Sequence, residues 1–178
     1  MFSFMAKAMV IDSIAFARLG HELSGTLQVG SCNRLGQGLP LPQPGTVVWS
    51  LAGRIEPGTG GAWLDVRAQG AVRVVCQRCL QPLDLELRVS RSLGLAESQA
   101  QLDALDALDA EGPGPDAEYM LADPHLEVLD LIEDELILAM PFAPRHEQCP
   151  GPAPDGVPAG APEASPFAVL AALKHGKH

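Results

Sequence analysis

The chain has no long apolar run, little positive charge and few aromatic residues, and each shortage excludes something. No stretch approaches the roughly 20 apolar residues that a membrane-spanning helix needs, so no such helix is expected. Lys and Arg number 12 against 22 Asp and Glu, for a net charge of −10. Tight phosphate binding over a whole surface needs clustered cations, so it is excluded here. Aromatic residues make up 4 % of the chain, and Trp49 and Trp63 fall in strand-like segments, where they read as core residues before nucleobase platforms. No Ser-His-Asp pattern, phosphate loop or dinucleotide fingerprint is present, and we expect a protein that is not an enzyme. Met1 to Ala17 carries an apolar stretch, but Asp12 interrupts it and Arg18 and His21 follow, so it reads as the mature start of a cytoplasmic protein and not as an export signal. Structural disulfides are then not expected among Cys32, Cys76, Cys79 and Cys149.

What is present is enough for one domain with a real core: 178 residues, 47 % of them hydrophobic. The charge is unevenly spread. Residues 1–91 hold nine basic and six acidic residues, residues 92–149 one basic and fourteen acidic, and residues 150–178 two of each. An acidic field of this kind either favours basic partners or simply keeps the chain soluble.

Asp12 is a plausible N-cap for a helix running to about His21, with Gly25 as its stop. Gly25–Gly30 reads as a short strand and residues 31–45 as a Gly/Pro-rich loop that leaves Cys32 a free thiol. Thr46–Ile55, Ala62–Gln69, Ala71–Cys76 and Leu83–Val89 follow as strands, with turns at 56–61 and at Gln69-Gly70. In the last of these Leu83, Leu85, Leu87 and Val89 alternate with polar residues, which implies one buried and one wet sheet face. Residues 96–124 include LDALDALDA and GPGPDAE and fit a mobile acidic insert better than a short helix. Leu126–Met140 has the strongest helical pattern. Leu129, Ile132, Leu136 and Ala139 share its inward face, and Glu133, Asp134 and Glu135 form an acidic step on its wet side, where a basic partner could dock. Pro141 ends it. Residues 150–165 read as a Pro/Gly/Ala linker, and 166–178 as an amphipathic tail. In that tail Phe167, Leu170 and Leu173 share a face that would dock in a partner's groove or fold back on the sheet. The fold expected is α+β: an antiparallel sheet of about five strands covered by helices, all within 1–149.

Three stretches in this order resemble the YceD family: VRVVCQRCLQPLDLEL (72–87), DLIEDELILAMPFAPRHEQC (130–149) and PFAVLAALK (166–174). The resemblance implies a role in making or keeping large-subunit ribosomal RNA, and hence a non-catalytic biogenesis factor that engages ribosomal protein, ribosomal RNA or both. It supplies no catalytic residues.

Cys76-x-x-Cys79 lies between two strands, the shape of a zinc knuckle. The natural second pair is His146-x-x-Cys149, and the four together could hold one structural zinc ion and close a loop of about 70 residues. Two other readings stay open. The cysteines could be small core residues with no metal, or a redox pair, although a redox pair usually opens a helix and this one opens a strand. His21 and His125 have no partner spacing and read as surface residues. Among the strand arginines, Arg67, Arg73 and Arg88 are candidates for contact with RNA phosphates if they share the wet face, diluted by Asp65, Asp84 and Glu86. Besides the ribosomal factor, a zinc-stabilised interaction scaffold outside the ribosome and a thiol-redox enzyme remain as alternatives.

Overall fold

A computed structural model describes residues 9–40, 42–110 and 118–149. The linker at 150–165 and the tail with Phe167, Leu170 and Leu173 lie outside the described residues.

Strand β1 (Val10–Ile11) leads into helix α1 (Ser13–Arg18). Asp12 caps α1, its carboxylate accepting from the Ala15 N–H at 2.9 Å. The helix stops at Gly20, whose φ of 60° is left-handed, and not at Gly25. Gly25 lies inside strand β2 (Glu22–Gln28), where the Trp49 ring sits 2.9 Å from where its Cβ would be. The strand therefore starts three residues earlier than its sequence suggests.

Strands β3 (Thr46–Ile55), β4 (Ala62–Val75) and β5 (Pro82–Ala96) follow. No turn forms at Gln69-Gly70: β4 runs through it as one strand of 14 residues. Burial alternates across the glycine, with Leu64, Val66, Ala68, Val72 and Val74 all inward. Gly70 is there because β3 passes close: a Cβ would lie 2.6 Å from the Thr46 carbonyl oxygen and 2.8 Å from the Val47 Cα.

The described parts of 96–124 take regular structure, against the mobile insert that their composition suggests, and 111–117 lie outside the described residues. Helix α2 covers Gln99–Ala110 and strand β6 covers Glu118–Leu121. Ser98 starts α2: its hydroxyl accepts from the Gln101 N–H at 3.3 Å, and Gln101 Oε1 accepts from the Glu97 N–H at 2.9 Å. Strand β6 pairs parallel with β5 and completes a sheet of order β2-β3-β4-β5-β6, antiparallel in its other pairings. The chain then forms β7 (Leu126–Glu127), which pairs with β1, and helix α3 (Val128–Ala139).

Helices α1 and α3 contribute to a single hydrophobic core on the sheet's inner face. Ile132 and Leu136 of α3 are fully buried there, as are Leu51, Leu64 and Val66 of the sheet. The loop before β3 also joins this core, through Val29, Cys32 and Leu35. Trp49 and Trp63 are both buried, as their strand context suggests. Among the described residues no helix is long and apolar enough to cross a membrane.

Candidate metal centre

The connection from β4 to β5 is the six-residue tip Cys76–Gln81. The Cys76 N–H donates to the Gln81 carbonyl and the Leu80 N–H to the Cys76 carbonyl, each at 2.9 Å. Leu80 takes a φ of 59° to close the turn, a conformation in which a leucine is strained. The chain leaving α3 then crosses this tip. Pro141 ends the helix, and the Gln77 N–H donates to the Pro144 carbonyl at 2.8 Å. That contact carries His146 and Cys149 to the two hairpin cysteines.

One donor atom from each of Cys76, Cys79, His146 and Cys149 lies within 4.8 Å of the others, so the four can hold a metal ion. Cys76 Sγ is 3.9 Å from Cys149 Sγ, and Cys79 Sγ is 3.4 Å from His146 Nδ1. A tetrahedral zinc site with Zn–S near 2.3 Å and Zn–N near 2.0–2.1 Å places two sulfurs about 3.8 Å apart, and a sulfur and a nitrogen about 3.6 Å apart. The geometry thus fits an ion, while the sulfur separation is nearly twice the roughly 2.05 Å of a disulfide. Cys76 is fully buried and the other three are half-buried.

The surroundings suit thiolates and a neutral imidazole. His146 Nε2 lies 3.1 Å from the Pro82 carbonyl oxygen. Donation there puts the proton on Nε2 and leaves the Nδ1 lone pair facing Cys79. Arg78 Nε donates to Cys149 Sγ at 2.9 Å, and its backbone N–H points to Cys76 Sγ at 3.5 Å. The same guanidinium donates to the carbonyls of His146 (3.1 Å) and Glu147 (3.4 Å), which ties the returning segment down. Burial pushes the Cys76 thiol up, but backbone N–H groups at Cys79, His146 and Arg78 outweigh it and bring it to about 5. At Cys79 the backbone N–H of Gln81 acts to lower the thiol, yet burial and the neighbouring sulfurs Cys149 and Cys76 prevail and raise it. Negative charge is thus favoured first on the innermost sulfur. Arg78 was not singled out for this site by its sequence. The available signal was its place between the two cysteines, where a tip residue must point at the sulfurs or away from them.

The acidic step of α3 is not on the wet side. Glu133 and Glu135 are each 5 % exposed, and only Asp134 is half-exposed. Glu133 accepts the backbone N–H groups of Arg34 and Leu35, and Asp134 pairs with the Arg34 guanidinium. The step therefore clasps the loop before β3. Two backbone donors offset the cost of burying the Glu133 carboxylate, so this edge of the helix can face the loop. Glu135 lies 3.9 Å from Arg91 Nε, too far for a hydrogen bond, and its Oε2 has no partner among the described residues. Burial, and then the Glu118 charge, raise its carboxyl above the ordinary range against the pull of Arg91. Arg67, Arg73 and Arg88 do share the outer sheet face. Arg73 is held by Asp84 at 2.8 Å, and Arg88 pairs with Glu86 at 3.5 Å.

Residues 64–174, more than half of the chain, match the family described as large ribosomal RNA subunit accumulation protein YceD. The chain belongs to the YceD family. Membership implies involvement in the accumulation of large-subunit ribosomal RNA. The matched span contains all four members of the Cys/His cluster. No solved structure matches the chain.

Proposed function

We propose that this protein is a cytoplasmic, non-catalytic ribosome-biogenesis factor that supports large-subunit ribosomal RNA by binding a ribosomal protein, the RNA precursor or both. One structural zinc ion on Cys76, Cys79, His146 and Cys149 fastens the β4–β5 tip to the segment that follows α3. The observation that carries this reading is the YceD match over residues 64–174. The cluster supports the zinc part, because three thiolates and one imidazole form a closed donor set typical of structural zinc.

The test is the ratio of large- to small-subunit ribosomal RNA in cells lacking the protein, with complementation. A selective fall in the large-subunit species, restored by the wild-type chain, is the expected result. An unchanged ratio would move the reading to a zinc-stabilised scaffold acting outside the ribosome.

A further inference from the structure

The outer face of the sheet carries two transverse rows whose members are neighbours through the strand pairing. Ser24, Ser50, Arg67 and Ser90 form one row across β2 to β5. Thr26, Val48, Gln69 and Arg88 form the next. These rows hold two arginines and no acid, on a chain whose net charge is −10. Together they line most of an open trough of about 780 Å³.

Arg67 is exposed and makes no ion pair among the described residues. Among the described residues Arg88 reaches only Glu86, at 3.5 Å with both side chains more than 70 % exposed, a pairing that contributes little. The flanking rows bring Glu22, Asp65 and Glu86. Asp65 is already occupied, by Arg54 at 3.0 Å and the Ser92 hydroxyl at 2.6 Å. Arg67 and Arg88 lie on adjacent strands in diagonal positions, about 7–8 Å apart at Cα. Two guanidinium forks at that spacing, bordered by hydroxyls, suit consecutive phosphates of an extended strand, with serines in reach of ribose hydroxyls.

We propose that this face binds single-stranded RNA, with Arg67 and Arg88 on phosphates and Ser24, Ser50 and Ser90 on the sugar–phosphate backbone. The choice of RNA rests on the ribosomal reading above, and the location rests on the sheet. Binding is weak in sequence preference, because the arginines and serines are assigned to phosphates and sugars and not to base edges.

The experiment is fluorescence anisotropy of a labelled 12-nucleotide mixed-sequence single-stranded RNA with the full chain, over a salt series. The Arg67→Ala, Arg88→Ala double variant should weaken binding at least tenfold and reduce the slope of log K against log salt by about 1.4, or roughly 0.7 for each phosphate no longer held. Arg73→Ala, on the same face but tied to Asp84, should bind as wild type. Salt-independent or absent binding by the wild type, or a double variant equal to it, would overturn the proposal. So would equal or tighter binding of a polyglutamate peptide that disappears in the same variants, which would assign the face to an acidic protein. A failed binding assay with a fallen large-subunit ratio in deleted cells would leave the ribosomal role standing and place its RNA or protein partner elsewhere on the molecule. Salt-dependent binding with an unchanged ratio would do the reverse.

Discussion

The tip of the β4–β5 hairpin and the middle of α3 are both places where a distant piece of chain is fastened, and they use opposite means. At the tip, residues 146–149 come down on Cys76 and Cys79 where there is little apolar surface to bury: Leu80 is 72 % exposed and Phe142 wholly so. At the middle of α3, Ile132 and Leu136 are already fully buried, and Glu133 only adds direction by bonding Arg34 and Leu35 of the incoming loop. Where the core is thin, packing supplies little, and the proposed metal ion on three thiolates and an imidazole would supply a strong fastening instead. Where the core is thick, a single buried carboxylate suffices, because packing supplies the energy and hydrogen bonds supply the register.

The largest effect expected is at the tip. Chelation, or Cys149→Ser, should lower stability by about 4 kcal/mol, the entropy of releasing a cross-link across the 73 positions that separate Cys76 from Cys149. Urea unfolding reads this, and coincident midpoints with and without chelator would break the contrast. At α3, Glu133→Ala leaves the Arg34 and Leu35 N–H groups without their acceptor and should cost about 3 kcal/mol. Glu133→Gln keeps one acceptor oxygen and should cost less. Both variants should retain the metal content of the wild type, since the two fastenings are separate. Gly70→Ala forces a methyl against the β3 backbone and should cost about 2 kcal/mol. A neutral result in thermal unfolding would mean that β3 and β4 are more loosely coupled than their register implies.

The smallest effect concerns Glu135. Its carboxyl is raised above the ordinary 4.5 by burial first and by Glu118 next. The folded chain therefore keeps a proton that the unfolded chain has already released. Stability contributed by this group is present below pH 4.5 and is lost as pH rises through the raised value. Glu135→Gln should remove that loss and stabilise the protein at pH 7 by on the order of 1 kcal/mol. An unchanged pH profile of unfolding would show that Arg91 already neutralises the site.

Much of this was legible in the residues, for physical reasons that also explain the failures. Strand β5 announces itself because Leu83, Leu85, Leu87 and Val89 alternate with polar residues, and β3 because it is rich in β-branched and aromatic residues. The Cys/His set was readable because thiol and imidazole donors at short spacing have few other uses. Gly70 misled because a glycine needed for a tight turn and one needed for a close backbone approach look alike in one dimension. Residues 99–110 misled because low-complexity composition hid the Ser98–Gln101 capping pair. Glu133 and Glu135 misled because charge is usually solvated, and only the folded loop shows the two backbone donors that make burial of Glu133 worthwhile. Arg78 had no sequence signal beyond its position, since its role depends on where Cys149 arrives.

Metal content of the protein purified without chelator, for the wild type and for Cys149→Ser, tests the central claim most directly. The account predicts about one zinc per wild-type chain and a clear loss in the variant. A metal-free wild type, or equal metal in both, would contradict it.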